Sequence, residues 1–299
     1  CGCITRAKPK GVNGMLNRSV FQSQKRMQRI SKFFIYIILI GMSVLYMIPF
    51  VWQLSSSLKT DAQIFAMPPK WIPSPAHWDN YYQVFVQVPF FRFLANTLTV
   101  AVFTMIAHVF VSAMVGYAFA RLRARGKNIL FILVLSTMML PSQVTMIPNF
   151  IIFKELRWVD TLLPLIVPAF LGGSAVYIFL FRQYFATIPR SLDEAAKIDG
   201  TGYFGTFIRI LLPMSKPIVI TTAIFSFMGS WNDFMDPLIY LNSLENYTLA
   251  IGLNLFKTQY VQHWNYTMAY SVLTIIPIIT LFFIAQKSFI QGIVITGSK

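Results

Sequence analysis

Residues 191–213 read SLDEAAKIDGTGYFGTFIRILLP, and this polar stretch lies inside a chain that is otherwise strongly hydrophobic. Of the 299 residues, 56% are hydrophobic and only 12% are charged, whereas soluble domains carry about 25% charge. Uncharged runs on both sides of the stretch reach the roughly 20 residues that a helix needs to cross a bilayer. We therefore expect an all-α polytopic membrane protein that places this stretch in a loop outside the bilayer.

The uncharged runs predict six transmembrane helices, because a span must satisfy its backbone hydrogen bonds internally. They cover residues 33–58, 93–120, 128–153, 161–181, 217–241 and 264–286. Kinks are expected in the third, fourth and sixth spans, which contain Pro141, Pro148, Pro164, Pro168, Gly172, Gly173 and Pro277. Five prolines in residues 59–92 predict an irregular loop. Residues 182–216, here called the polar loop, connect the fourth and fifth spans.

Basic residues set the predicted orientation. Nineteen of the 25 Lys and Arg residues fall on the side of the N-terminus when the loops are assigned alternately. Because such residues mark the cytoplasmic side, both termini and the polar loop are expected in the cytoplasm. Orientation explains the net charge of +15, so no nucleic-acid partner is expected. The cluster of Arg121, Arg123, Arg125 and Lys127 is interpreted as a topology and anionic-lipid signal.

The chain is expected to divide into three parts. Residues 1–32 form a basic cytoplasmic segment, residues 33–290 the transmembrane domain, and residues 291–299 a cytoplasmic tail. Residues 1–14 precede Met15 and are left out of the fold prediction as a stretch that need not be native. The two cysteines, Cys1 and Cys3, cannot build a disulfide framework or a metal site.

The first half of the polar loop predicts a short capped helix. Ser191 stands three residues before Glu194, a spacing typical of a capping box in which each side chain binds the other residue's amide. The helix is expected over residues 192–199. Gly200 should end it, because the residue after a helix often adopts a left-handed conformation.

A second helix is expected over residues 202–211, with Pro213 marking its end. Its apolar residues recur at helical spacing on one face: Phe204, Phe207, Ile208 and Leu211. The pair of helices is either an amphipathic connector in the membrane interface or a docking surface for another protein. Interfacial helices prefer bulky apolar residues, whereas Ala195 and Ala196 beside Glu194 favour a protein contact.

The same stretch resembles the EAA motif of ABC importer permeases. The matching positions are Glu194, Ala195, Ala196, Gly200, Ile210, Leu212 and Pro213, at the family's spacing and between the fourth and fifth spans. Similarity to the maltose-type sugar permeases extends to Asn96–Thr97, Trp231–Phe234, Tyr247–Gly252 and Gln291–Gly292. The chain resembles the second, six-helix permease subunit of importers for di- and oligosaccharides.

The resemblance implies a type I importer fold in a bacterial cytoplasmic membrane and a set of partners. These are a second permease subunit, two ATPase subunits, an extracytoplasmic solute-binding protein and a carbohydrate, with membrane lipid around the spans. Residues 186–213 would be the coupling loop that docks on the ATPase. Glu194 would be the main polar contact, Ala195 and Ala196 the close-packed surface, and Gly200 the turn. Ile210, Leu212 and Pro213 would form the structural frame.

No catalysis is expected on this chain. It lacks the G-x-x-x-x-G-K-[ST] phosphate loop, so ATP and its Mg²⁺ would bind to the partner ATPase, and no cofactor or metal site is expected here. A permease for a non-sugar solute and an ion-coupled carrier acting alone are the alternatives.

Ionisable residues inside a span are functional by default, and Asp233 and Asp236 lie in the predicted fifth span. Trp231, Asn232 and Asp233 offer an aromatic face, an amide and a carboxylate that suit a sugar, so they are candidates for the substrate pathway. Alternatively, they are structural residues at the outer end of the helix or against the partner permease. His108 is interpreted as a neutral packing residue, because the sequence shows no carboxylate close to it.

Overall fold

A computed structural model of the protein describes residues 12–256 and 263–297. Every regular element in those ranges is helical, which confirms the all-α class. Residues 1–11, with Cys1 and Cys3, lie outside the described residues. So do residues 257–262 of the last predicted loop and residues 298–299 of the predicted tail.

The helices of the described ranges follow one another along the chain with short connections. They are α1 (Val12–Ser56), α2 (Asp61–Ile64), α3 (Asp79–Gln87), α4 (Phe90–Arg121), α5 (Lys127–Ser136), α6 (Ser142–Glu155), α7 (Leu163–Gly172), α8 (Ala175–Thr187), α9 (Ser191–Ile198), α10 (Tyr203–Thr206), α11 (Leu212–Met214), α12 (Lys216–Asn232), α13 (Met235–Tyr240), α14 (Leu249–Gly252) and α15 (Trp264–Gly297). A π turn, Phe207–Leu211, joins α10 to α11, and 3₁₀ turns cover Thr137–Met139, Leu244–Asn246 and Leu253–Phe256.

Four helical segments in the described residues are long and apolar enough to cross a membrane: Ser31–Ser56, Phe90–Arg121, Leu163–Thr187 and Trp264–Ile284. Two bent pairs of helices would raise the number to six. One pair spans Lys127–Glu155 and bends by 98°, and the other spans Tyr203–Asn232 and bends by 82°. The described residues therefore contain four to six candidate spans, and the count of six stays a prediction.

The predicted third span is not one helix. It breaks between α5 and α6 at Leu140–Pro141, where the backbone is extended. Proline disfavours helical conformation in the residue before it and provides no amide for the helix. The kink expected at Pro141 is confirmed, whereas Pro148 lies inside α6.

The fourth and fifth spans differ from prediction at their ends. The helix of the fourth span is interrupted at Gly173–Ser174, as expected, but continues to Thr187 instead of ending at residue 181. The fifth is shorter, because α12 ends at Asn232 and the backbone of Asp233 is extended. Asp233 and Asp236 therefore do not lie inside the helix of the span, and the prediction that they do is wrong.

The long helix α4 is the centre of the packing, with α7, α8 and α12 against it. It crosses α8 at Gly116, where an added Cβ atom would lie 2.7 Å from the Cβ of Phe181 and 3.0 Å from the amide of Arg182. Only glycine permits this close approach of the two helices. At a rise of 1.5 Å per residue, the 32 residues of α4 extend about 48 Å, so α4 connects the two ends of the molecule.

Side chains at the start of α4 bind the loop between α13 and α15, which contains residues 245–249. Asn96 Nδ2 donates to the carbonyl oxygens of Glu245 (2.8 Å) and Tyr247 (2.9 Å), and the amide of Leu249 donates to Thr97 Oγ1 at 2.9 Å. Residues 59–92, predicted as irregular, contain α2 and α3. Residues 59–92 are therefore more regular than their five prolines suggested.

Asp160 joins this loop to the turn between α6 and α7. Its carboxylate accepts bonds from the amides of Asn242 (2.9 Å) and Ser243 (2.8 Å), and from the Ser243 hydroxyl and the Asn246 amide group. These bonds, above all those from Ser243, hold the pKa of Asp160 well below its usual range, because they stabilise the ionised form.

Candidate functional site

The first helix of the polar loop forms within one residue of its predicted position. However, the expected capping box is absent, because the N-cap is Arg190 and not Ser191. The amides of Asp193 and Glu194 both donate to the Arg190 carbonyl, at 3.0 and 3.2 Å. Ser191 is consequently already the first helical residue, and its hydroxyl is not placed to cap. The acids of the first turn still suit the positive end of the helix dipole.

Gly200 ends α9 as predicted. Its φ angle is +76°, in the left-handed region that glycine adopts most readily. The amide of Gly200 donates to the Lys197 carbonyl at 3.1 Å, and the amide of Thr201 donates to the Ala196 carbonyl at 2.8 Å. This pair of bonds is the Schellman arrangement of a helix C-terminus. The turn therefore rests on both hydrogen bonds and backbone conformation.

The second helix continues further than predicted and contains a π turn. It passes through Pro213 and ends at Met214, so the expectation that Pro213 ends it is wrong. Proline gives no amide to the carbonyl four residues earlier, which here belongs to Arg209 within the π turn. The expected apolar face is divided: Phe207 and Leu211 are fully buried, whereas Phe204 and Ile208 are exposed.

The surface of α9 differs from the predicted flat alanine surface. Glu194 and Ala195 are exposed, but Ala196 is only 2% exposed and is therefore covered by the protein itself. Ala196 cannot supply partner contact in this arrangement, and its small size instead lets α9 lie close to the body of the molecule. The residue that projects is Ile198, which is 86% exposed.

Two further apolar side chains are uncovered in the next turn of the loop: Tyr203 and Phe204. Together, Glu194, Ala195, Ile198, Tyr203 and Phe204 are called the exposed face below. A large isolated aromatic or aliphatic residue on a surface needs no explanation, but several on one short loop indicate an interaction site. Helical spacing in the sequence had placed Phe204 on one apolar face with Phe207 and Leu211, so it did not indicate that Phe204 is exposed while the other two are buried.

The frame residues of the loop take different positions. Ile210 and Leu212 are half-buried and Pro213 is exposed, while their neighbours Phe207 and Leu211 form the buried part. Phe207 and Leu211 pack in one cluster with Tyr117 of α4 and Phe185 of α8. The polar loop is thus anchored among the transmembrane helices by Phe207 and Leu211, which are not themselves positions of the EAA motif.

Arg121 at the end of α4 binds the loop directly. Its guanidinium lies 3.2 Å from the Asp193 carboxylate and donates to the Ile188 carbonyl at 2.6 Å. The Arg121 side chain is only 5% exposed, so interpreting it as a lipid-binding residue is wrong. A second link runs from the Tyr117 hydroxyl to the Tyr203 carbonyl at 3.2 Å. The charge of Arg121 had been assigned to topology, and nothing in the sequence pairs it with Asp193.

A crevice of about 360 Å³ lies between the end of α4 and the polar loop. Charged side chains from both elements line it: Arg121, Arg123, Arg190, Lys197, Asp193 and Glu194. Within the described residues, Arg121 Nε and Asp193 Oδ1 are buried without a hydrogen-bond partner. The crevice therefore adjoins the exposed face through Glu194 and Tyr203, and acidic and basic groups both line it.

The candidate pathway residues do not form one group. Asp233 lines a cavity of about 340 Å³ among α4, α7, α8 and α12, whereas Trp231 and Asn232 line a different cavity of about 270 Å³ with Tyr270 and Thr274. The indole of Trp231 is 4% exposed and stacks on Phe227 with ring centroids 5.5 Å apart. Trp231 thus belongs to a packed core, and a solute role for all three residues stays a prediction.

His108 shares the 340 Å³ cavity with Asp233 and Asp236. The two aspartates are 125 and 128 positions away in the sequence, and only the fold brings them to the same cavity as His108. The expected packing role is still supported: His108 Nδ1 lies 2.8 Å from the hydroxyl of Ser226. Among the residues that the structure describes, no group of three His, Cys, Asp or Glu could hold a metal ion.

Comparison with known proteins agrees with this geometry. Residues 109–295 match the family described as binding-protein-dependent transport system inner membrane component. The arabinooligosaccharides transport system permease protein AraQ of Bacillus subtilis (strain 168) is 36% identical over 261 residues, covering 86% of this chain and 92% of that protein. The maltodextrin transport system permease protein MalD of Streptococcus pneumoniae is 30% identical, covering 93% and 99%.

A solved structure shows the same fold. It is the crystal structure of a bacterial ABC transporter involved in the import of the acidic polysaccharide alginate. The TM-score is 0.76 at 23% sequence identity, over 88% of this chain and 98% of the other. The overall arrangement of helices is therefore that of an ABC transporter permease.

Proposed function

Since this chain belongs to the binding-protein-dependent transport system inner membrane component family, we propose that it is one of two permease subunits of an ATP-driven carbohydrate importer. The relatives named for arabinooligosaccharide and maltodextrin transport support a sugar, of di- or oligosaccharide size, as the solute. The observation that carries the proposal is the exposed face on the polar loop, which is fixed to α4 by buried contacts.

The exposed face is the proposed docking site for an ATPase subunit. Ile198 and Phe204 offer apolar area, and Glu194 offers a carboxylate at the rim of the charged crevice. Apolar anchors surrounded by polar groups are typical of protein interfaces. In this proposal the polar loop is cytoplasmic, and the whole protein lies in a bacterial cytoplasmic membrane.

Movement of the loop would reach more helices than the two it connects. The loop follows α8 directly and leads into α12. The Arg121–Asp193 pair and the Tyr117–Tyr203 bond also attach it to α4. Because α4 extends to the loop at the opposite end of the molecule, closure of the ATPase would displace α4, α8 and α12 together and alternate access to the pathway.

The transport subunit itself is non-catalytic in this proposal. ATP and Mg²⁺ bind to two partner ATPase subunits, and an extracytoplasmic binding protein delivers the solute. The second permease completes the pathway, and lipid covers the exposed apolar helices. The chain has no phosphate loop, which supports a separate ATPase.

An ion-coupled carrier is the second candidate, and one observation favours it. His108, Asp233 and Asp236 share a cavity, and such groups form proton relays in carriers. That function would not require the exposed face on the polar loop or the buried Arg121 that fixes it.

Uptake of a labelled trisaccharide, arabinotriose or maltotriose, tests the proposal in cells that express the whole transporter. The matched control carries an ATPase subunit with its phosphate-loop lysine replaced. We expect uptake in the first strain and none above background in the control. Uptake that persists without ATP hydrolysis would contradict the importer and support the carrier.

A further inference from the structure

The cavity shared by His108 and the two aspartates has the size of a ligand site. Its volume of about 340 Å³ falls within the range of roughly 300–1,000 Å³ that small-molecule sites occupy. Polar side chains from several helices face it: His108, Tyr177, Ser226, Ser230, Asp233 and Asp236. The remaining wall is formed by Thr104, two glycines and apolar residues, among them Val100, Leu165 and Pro168.

The two aspartates give this cavity a negative charge that no lysine or arginine among the described residues of its lining balances. Neither Asp233 nor Asp236 lies within 4.0 Å of a basic group among the described residues, and no Lys or Arg lines the cavity. Asp233 is half-buried, and its carboxylate accepts bonds from two backbone amides, that of Asp236 at 3.3 Å and that of Met235. An ionised carboxylate has room for about four hydrogen bonds. Most of the acceptor capacity of the pair is therefore unused.

The groups beside the carboxylates are neutral and partly aromatic. His108 bonds to the buried hydroxyl of Ser226, and its ring lies against Tyr177 with centroids 5.3 Å apart. Aromatic faces pack against the apolar faces of sugar rings, and hydroxyl groups donate to carboxylates. An anion would meet two unpaired negative charges in a site with low-dielectric walls, where repulsion is strong.

We propose that this cavity is a solute subsite that accepts an uncharged, hydroxyl-rich solute and rejects an anionic one. The inference rests on the proposed function and adds the charge class of the sugar. Asp233 and Asp236 bind hydroxyl groups, and Tyr177 with His108 forms the wall. Selection is then made within the membrane domain as well as by the binding protein.

Thiol labelling tests the charge of the cavity without knowledge of the solute. Ser230→Cys is introduced into the assembled complex after Cys1 and Cys3 have been replaced by Ser. The rate at which this thiol reacts is measured with a cationic and with an anionic methanethiosulfonate reagent. Each rate is divided by the rate of the same reagent with a free thiol in solution, which corrects for the reagent's own reactivity. Because like-signed clefts concentrate counter-ions about 10-fold or more, we expect the cationic reagent to react about tenfold faster. Thr274→Cys is the matched control, since it lines the other cavity, whose lining residues carry no charge.

Neutralisation and protection complete the test. When Asp233→Asn and Asp236→Asn are added, the ratio of the cationic to the anionic labelling rate of the Ser230→Cys thiol should approach one. The elution volume verifies that the complex still assembles. The trisaccharide that supports uptake should slow labelling, and a uronic-acid trisaccharide at the same concentration should not. A thiol without charge preference, an unreactive thiol, or equal protection by the uronate would overturn the subsite. Absence of ATP-dependent uptake in the parent complex would instead overturn the proposed function.

Discussion

Replacing Gly200 by alanine should weaken docking of the ATPase without unfolding the permease. The φ angle of Gly200 is +76°, and an added Cβ atom would meet nothing within 4 Å. The cost is therefore backbone strain alone, about 1–2 kcal/mol for an L-residue in the left-handed region. If the undocked loop relaxes to avoid this strain, docking must restore the left-handed turn, and the strain energy is lost from the free energy of binding. The affinity for the ATPase then falls by a factor of about 5–30.

Gly202 provides the matched control for this prediction. It lies two residues further along the same loop, an added Cβ atom there would also meet nothing within 4 Å, and its φ angle is an ordinary −71°. Gly202→Ala should change the affinity by less than about 0.5 kcal/mol. Both substitutions reduce the backbone freedom of the undocked loop in the same way, so this effect cancels in the comparison.

The assay is a titration of labelled ATPase subunit onto the permease pair in nanodiscs, with the dissociation constant measured for parent and variants. Gly200→Asn should lie between parent and Gly200→Ala, because asparagine tolerates the left-handed region better than alanine. Equal affinities for the Gly200→Ala and Gly202→Ala complexes would refute the role of the turn.

Three further predictions concern charged residues. Arg121→Met should destabilise the complex by about 3 kcal/mol, the lower end for a broken buried pair, because the Asp193 side chain is 27% exposed; in a thermal double-mutant cycle with Asp193→Asn, additive effects would contradict this. Asp160→Asn should cost about 1.5–3 kcal/mol at pH 7. Since the folded pKa is depressed, the parent's advantage should shrink as pH falls below the unfolded value of 3.8, and a constant difference in unfolding free energy would exclude the bonds. Glu194→Lys should reduce ATPase retention on purification about tenfold, whereas Glu245→Lys, the same change at the other end of α4, should not.

Local patterns predicted the elements of the polar loop but not their surroundings. The acidic first turn and Gly200 specify α9 through the backbone alone, so its position was predictable within a residue. The direction of each side chain depends on tertiary packing. For that reason the sequence could not indicate that Ala196 is buried while Ile198 and Phe204 are exposed.

Contacts between distant segments account for the other differences. Arg121 pairs with a residue 72 positions away, and His108 shares a cavity with Asp233 because α4 and α12 pack together. Hydropathy measures apolar length and cannot detect a bend, so it joined α5 to α6 and extended the fifth span beyond Asn232. The motif resemblance, by contrast, needs only local spacing, and it agrees with the family match.

Contact between the exposed face of the polar loop and an ATPase can be tested by cross-linking from Ile198. A photo-reactive amino acid replaces Ile198, which is 86% exposed, or Leu244, which is 47% exposed near the other end of α4. After illumination of the assembled complex, the adducts are identified by mass. We expect a covalent adduct with the ATPase from position 198 and none from position 244. A complex that retains its ATPase but gives no adduct from position 198 would exclude contact between the exposed face and the ATPase.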